Sequence, residues 1–413
     1  MKIQKSKGIR FEGSINRTFA KVINECNFMI ITKNLFELAW DGYIMEIEEK
    51  CIWQVAAGEK SRHYEDIFCD WGIAAIGPGW CGKWDEVKYN ESEIIKEVEK
   101  DGMRSRRVLR DFASRVKAGD YIVLKIGKDP IAVGEVQKFS KDKVYFWKES
   151  FRMIDGWDLG HCIKVKWKKL TEEEKSQIPK LSDSKFCRVH SNNREIINTF
   201  KNNASTVQSK STQDIECLPI PKILEENEFK SRLEEELQTL HQTNDDNSKD
   251  KINGIWKTIS NLKKTAEDFE MAEGSEEEAK IFFIVPLLQS LGWTYKNIAI
   301  EHGNLDFALS REGFNSRSLK EEKGKVDIMI EAKHLGGGLE SAAKQAKDYY
   351  KKGLTNLKLI VVSNGINYYT YVKDGDSGWN KSAYLDIYNL WADGPPYRPG
   401  VGGAITLLAQ LIL

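Results

Sequence analysis

The sequence predicts a multidomain α/β plus α+β protein. It should have a β-barrel or mixed-sheet front domain, a helical linker and a rear α/β domain with a central mixed sheet. Three observations predict this. At 413 residues the chain exceeds one ordinary domain and suits two or three. Residues 1–170 hold eight of the twelve tryptophans, set among short apolar runs punctuated by Gly and Asp. From Gly274 onward, helical and strand patterns follow one another.

Taken in order, residues 24–49 read as an added helix or hairpin within an N-terminal extension, residues 1–50. The runs CIWQVAAG, WGIAAIGPGW, GDYIVLKIG, IAVGEV and HCIKVKW are rich in Val, Ile and aromatics and bounded by turn residues, so they read as strands. A helix at 91–116 interrupts them. The front domain is thus placed at 1–170. Residues 171–251 are polar at first (HSNN, NNASTVQSKSTQ), which buries little apolar surface and predicts linker. Helical spacing appears at 223–241 and again at 252–269. The rear domain, 252–413, contains Ser275 with Glu278 three residues later, a capping-box pattern opening a helix. Pro286 lies inside that helix and predicts a kink or a short first segment. Three strands (IAIEHG, LDFALS, KVDIMIEAK), a helix at 339–352 and the strands LKLIVVSNG and NYYTYVK complete the pattern.

Composition excludes some classes. Lys plus Arg and Asp plus Glu both number 62, so the net charge is zero and the chain does not coat nucleic acid by bulk charge. Local basic patches remain at 104–110 (RSRRVLR) and 164–169 (KVKWKK). The longest apolar stretches, 281–288 and 405–413, fall short of the roughly 20 residues a bilayer span needs, and the first residues lack a signal-type apolar core. No membrane association and a cytoplasmic location are expected. Seven scattered cysteines without a CxxC pair predict free thiols rather than zinc or disulfides.

The chemistry lies in residues 326–333. On a strand, Val326, Ile328, Ile330 and Ala332 point one way, while Asp327, Met329, Glu331 and Lys333 point the other. In the preceding strand Leu305, Phe307 and Leu309 face the core and Asp306 is turned away. Two carboxylates on adjacent strands can hold a hard divalent cation and leave room for water and phosphate. A lysine beside them can orient or deprotonate water and offset charge on phosphorus. This is a layout for phosphodiester hydrolysis, although a charged outer strand face gives the same alternation.

SEEEAKIFFIVPLLQSLGW, NLDFALS, IEAKHLG, AAKQAKDYY, IVVSNGINYYTYV and PYRPGVGGAITLLAQL, in this order, resemble the PD-(D/E)xK nuclease domain of type I restriction R subunits, and more nearly its stand-alone relatives. The resemblance spans about 252–413. It implies a restriction-endonuclease-like fold with Asp306 and Glu331 as metal ligands and Lys333 as the catalytic lysine. It also implies Glu278 as a helix-borne acid, Gln345 and Tyr349 as a Q-x-x-x-Y motif, and Mg2+ as cofactor, with Mn2+ as a substitute. Two features depart from the family. The interval between Asp306 and Glu331 holds an insertion, REGFNSRSLKEEKGK, and Asp327 competes with Asp306 as second ligand. No GxxxxGK[ST] loop accompanies the domain, so a translocating motor is not expected.

The front runs, over about 50–170, resemble the EVE-like branch of the PUA superfamily. In that family such a domain reads a modified base. A base drawn from its stack needs flat apolar walls, for which Trp53, Trp80, Trp84 and Trp157 are the candidates. His161 is expected to be a structural hydrogen-bonder. Together the resemblances imply an Mg-dependent endodeoxyribonuclease gated by modified DNA, a type IV-like restriction or antiviral defence enzyme, with a homodimer suited to cutting both strands. The alternative is an effector nuclease whose front domain binds RNA or a nucleotide signal. A degenerate fold kept as a binding module is the non-enzyme reading.

Overall fold

The computed structural model describes residues 50–413 except 60–61, 80–81, 85–102, 142, 153, 156, 190–214, 216–217, 242–247, 269–273, 303–304, 316–321, 351–353, 355 and 376–377. Residues Cys51–Leu413 form one compact unit. The helix or hairpin expected at 24–49 lies outside the described residues. So do Trp80 and the first part of the helix expected at 91–116.

The protein is mixed α/β, with two mixed sheets. The front sheet contains β1 (Ile52–Ala56), β4 (Ile73–Ile76), β5 (Tyr121–Ile126), β6 (Asp129–Gln137), β7 (Tyr145–Trp147), β8 (His161–Lys169) and β9 (Phe186–Arg188). Its order is β4-β8-β6-β5-β1-β9, with β7 added to β8. All pairings are antiparallel except β1 with β5. This path has two ends, so among the described residues the sheet is a half-barrel and not a closed one. A small hairpin, β2 (Gly58–Glu59) and β3 (Arg62–His63), and helix α1 (Glu65–Asp70) connect β1 to β4; helix α2 (Met103–Ser114) precedes β5. The segment expected as linker begins with structure. A capping box at Thr171 and Glu174 starts α3 (Glu172–Gln177), and β9 pairs with β1. Gln54 draws this segment in through hydrogen bonds to Ser182 and Ser184.

Helices α4 (Glu226–His241) and α5 (Ser248–Asp268) follow. In α5, Ile252, Ile255, Ile259, Leu262 and Ala266 recur every three or four residues, and all are buried. That stripe fixes the face laid on the rear domain. The expected kinked helix resolves into α6 (Glu276–Ala279), a π-helical turn (Lys280–Ile284) and α7 (Val285–Ser290). Pro286, which has no N–H to give, follows directly on the π-helical turn, where the helical hydrogen-bond pattern shifts.

The rear sheet runs β10 (Ile298–His302), β11 (Leu305–Leu309), β12 (Ile328–Ala332), β13 (Leu359–Ser363), β14 (Asn367–Asp374) and β15 (Gly378–Asp386) in spatial order. Only β12 and β13 are parallel. Parallel neighbours need a crossover, which α8 (Glu340–Tyr350) provides before packing across β12 and β13. A last helix, α9 (Ala404–Leu411), closes the domain against β15 and α4.

Both faces of this sheet are covered. Phe307, Leu309, Ile328, Ile330 and Ala332 share one core with α4, α5, α7 and α9. Leu305, Ala308, Met329, Ile360, Val362, Tyr369 and Tyr371 join a second core with front-half residues such as Tyr64, Trp71, Phe151 and Ile154. Leu305 therefore faces the core opposite to that of Phe307. Polar groups are buried in the seam between the halves. Trp71 Nε1 donates to the Tyr397 carbonyl at 2.9 Å, and Arg398 lies 2.6 Å from Asp66 and 3.5 Å from Glu340. Cys162 is buried, while Cys51, Cys69 and Cys187 are half-buried; all four are free thiols.

Candidate active site

Strand pairing builds the site. Phe307 pairs with Ile330 across the antiparallel β11 and β12, so the next step along the ladder brings Asp306 level with Glu331. Asp306 Oδ2 accepts the Ala332 N–H at 2.7 Å. Lys333, two residues beyond Glu331, donates to Glu331 Oε1 at 3.0 Å. The three residues expected to act together are thus adjacent. All five residues of β12 are buried, since α8 covers the face expected to be charged and open.

Burial has an electrostatic consequence. Glu331 is only 2 % exposed, and its Oε2 has no hydrogen-bond partner among the described residues. Desolvation pushes its carboxyl up to about 7; Lys333 opposes this, while Asp306 and Glu276 add to it. A buried carboxylate oxygen without a partner is costly unless a cation or water meets it.

Asp327 does not share this site. One of its oxygens accepts the Arg311 N–H at 2.9 Å and the other meets Lys358 at 3.0 Å, beyond the other end of β12. Of the two acids left open by the sequence, Asp306 is the one beside Glu331. Glu278 is also placed differently from the expectation. It closes the capping box, accepting from Ser275 N and Oγ at 2.7 and 2.8 Å. Glu276, in the same helical turn, approaches the site instead, with Oε2 at 3.9 Å from Lys333. This approach depends on Gly274, because a Cβ there would lie 2.2 Å from Leu335 Cδ1. Gln345 is exposed on α8, whereas Ala342, Ala343 and Ala346 turn to the core; the Tyr349 side chain lies outside the described set.

Lys280 was not anticipated. Its ammonium lies 2.8 Å from Asp306, 2.9 Å from Glu277, 3.3 Å from Glu301 and 3.5 Å from Glu276. The signal was present as E-E-E-A-K, whose i,i+3 and i,i+4 spacings bring acid and amine together on a helix.

Among the described residues no three His, Cys, Asp or Glu side chains are grouped to hold a metal ion. Mg2+ usually needs only one or two carboxylates, with waters and substrate phosphate filling the remainder. Asp306 and Glu331 suit that mode, and the unpartnered Oε2 of Glu331 offers a lone pair for it.

The tryptophans expected to wall a base pocket occupy different settings. Trp53 is 4 % exposed, stacks on Phe186 at 5.2 Å and donates to Asp120 at 2.8 Å; it fills the core and faces no opening. Trp157 is half-buried, with Arg62 and Lys185 over its ring at 5.4 and 5.9 Å. Trp84 is half-buried, and its backbone N–H donates to Tyr145 Oη. His161 is buried between Tyr145 Oη and the Pro78 carbonyl, each at 2.9 Å. Because a carbonyl can only accept, Nε2 carries the proton and Nδ1 accepts from Tyr145. Burial holds this imidazole down to about 4, which suits a structural role. Trp147, not singled out from the sequence, packs edge-on against His161 at 5.0 Å. An open cavity of about 720 Å³ at the seam is lined by Asp66, Asp70, Trp71, Lys381, Tyr397 and Arg398; none of the expected site residues line it.

No family model matches this chain, and no curated protein matches it.

Proposed function

We propose that the protein is a divalent-cation-dependent phosphodiesterase acting on DNA, with its rear domain a PD-(D/E)xK-type nuclease. The observation that carries this reading is Asp306 beside Glu331 across β11 and β12, with Lys333 on Glu331 and one Glu331 oxygen buried without a partner. The antiparallel β10-β11-β12 unit followed by parallel β13 and its crossover helix agrees with it.

In this reading Asp306 and Glu331 would hold Mg2+, with Mn2+ as a substitute. The ion would supply Lewis acidity toward a phosphate oxygen and a bound water of lowered pKa. Lys333 Nζ orients the attacking water and offsets negative charge developing on phosphorus. Glu276 positions Lys333. The Ala332 N–H fixes the orientation of the Asp306 carboxylate. α8, packed across β12 and β13, lowers the dielectric on the Glu331 side of the sheet, which strengthens each of these interactions.

The front half is assigned the role of reader, an EVE-like module that admits DNA carrying a modified base, which makes the whole a modification-dependent restriction or antiviral nuclease. The half-buried Trp157 with two cations over its ring supports a nucleic-acid contact there. The test is incubation of the full chain and Mg2+ with matched DNAs that are unmodified or carry methylated, hydroxymethylated or glucosylated cytosine, with an RNA arm. Cutting restricted to a modified DNA supports both assignments. Equal cutting of every DNA would remove the reader, RNA-only cutting would move the substrate class, and no cutting with either metal would defeat the nuclease.

A further inference from the structure

Lys280 has a setting that the proposed hydrolysis does not require. It begins a π-helical turn, a distortion that recurs at functional sites, and its side chain is 4 % exposed. Four carboxylates surround its ammonium: Asp306, Glu277, Glu301 and Glu276. With Glu331 included, five acids meet two amines, Lys280 and Lys333, so the pocket retains a negative surplus.

Asp306 is the shared member. Its Oδ2 is committed to the Ala332 N–H, and its Oδ1 lies 2.8 Å from Lys280 Nζ. An ion approaching Oδ1 would meet that ammonium at close range, where like charges repel. Glu331 Oε2, 98 % buried with the rest of its side chain and lacking a partner, adds an unmet need for positive charge nearby.

We infer that Lys280 is a built-in counter-ion in the cation seat at Asp306, so that a divalent ion binds only by displacing Nζ from Asp306 Oδ1. The inference rests on the metal-site reading above and adds a competitor to it. Lys280 holds the acids together before the ion arrives. Afterwards Glu277, Glu276 and Glu301 still satisfy its charge, so displacement needs a swing of the side-chain tip and no unfolding.

The test is calorimetric titration of the full chain with Mn2+ in the absence of nucleic acid. Lys280→Met and Lys280→Gln should each bind Mn2+ about tenfold or more tightly than the wild type. Lys358→Gln, which removes a surface ammonium paired with Asp327, should leave affinity unchanged. Adding Asp306→Asn to either Lys280 variant should abolish the gain. Unchanged or weaker binding in the Lys280 variants, while Asp306→Asn in the wild type still weakens it, overturns the counter-ion and leaves the metal site standing. Binding that depends on neither Asp306 nor Glu331 overturns both. Independently of folding in the variants, the 15N resonance of the Lys280 ammonium in the wild type should shift on saturation with Mg2+; a fixed resonance also overturns displacement.

Discussion

Tyr369, on the sheet that carries the candidate site, donates its phenolic hydrogen bond to Asp155 of the tryptophan-rich half. Tyr397 donates to the same oxygen at 3.2 Å, and Arg398 lies 3.8 Å from the other. Asp155 is buried and has a left-handed backbone (φ 51°), which aspartate tolerates better than most residues. Glu340, the first residue of α8, contacts Arg398 and Lys381. The helix lying over the candidate site is thus anchored in the network that joins the two halves.

One consequence concerns cooperativity. Because a single hydrophobic core crosses the seam, residues 51–413 should unfold in one transition by urea, followed by fluorescence and circular dichroism. Asp155→Ala removes the acceptor of the Tyr369 and Tyr397 hydroxyls, while Arg398 keeps Asp66 and Glu340, and should cost about 1–3 kcal/mol for each hydrogen bond lost. Tyr369→Phe should cost about 1–3 kcal/mol. Two separate transitions in the wild type would contradict the continuous core.

Under the nuclease proposal, Glu276 and Glu278 divide the positioning of Lys333 from helix capping. Glu276→Gln loosens Lys333 and should lower cleavage at least about tenfold with little change in stability. Ser275→Ala removes the cap and should cost about 1 kcal/mol while cleavage survives. The reverse pattern, measured by cleavage rate and urea midpoint, would return the catalytic role to Glu278.

Glu331 predicts a pH dependence. Its carboxyl is raised from 4.5 to about 7, chiefly by desolvation. The folded state therefore holds this proton more tightly than the unfolded chain, and stability falls as pH rises from 4.5 through about 7. Glu331→Gln removes that penalty. Its stability relative to the wild type should be greater at pH 8 than at pH 5, by about 3 kcal/mol at most. Equal differences at both pH values would mean the carboxyl titrates as in water.

The tryptophans should also divide by role. Trp53→Ala empties a core position and should destabilise by about 3–5 kcal/mol. Trp157→Ala or Trp84→Ala should spare folding but weaken DNA binding by about 1–3 kcal/mol per lost stack. Unaltered binding in fluorescence anisotropy would remove both from the interface.

Local signals determined a good deal. The alternation in KVDIMIEAK placed Glu331 and Lys333 on one strand side, and the periods of α4 and α5 marked their buried faces, because residues close in sequence set these patterns. The pairing register was not local. Asp306 meets Glu331 and Asp327 does not because β11 and β12 align Phe307 with Ile330 across an intervening loop. The capping box at Ser275 was legible, yet that same pattern removed Glu278 from the site and left Glu276 to approach it through the Gly274–Leu335 contact. Lys280 beside Glu301, Trp53 on Asp120 and Asp155 beneath Tyr369 each join residues 21 to 214 positions apart. Composition cannot encode such proximity; packing decides it, by burying a polar group only where distant partners arrive to satisfy it.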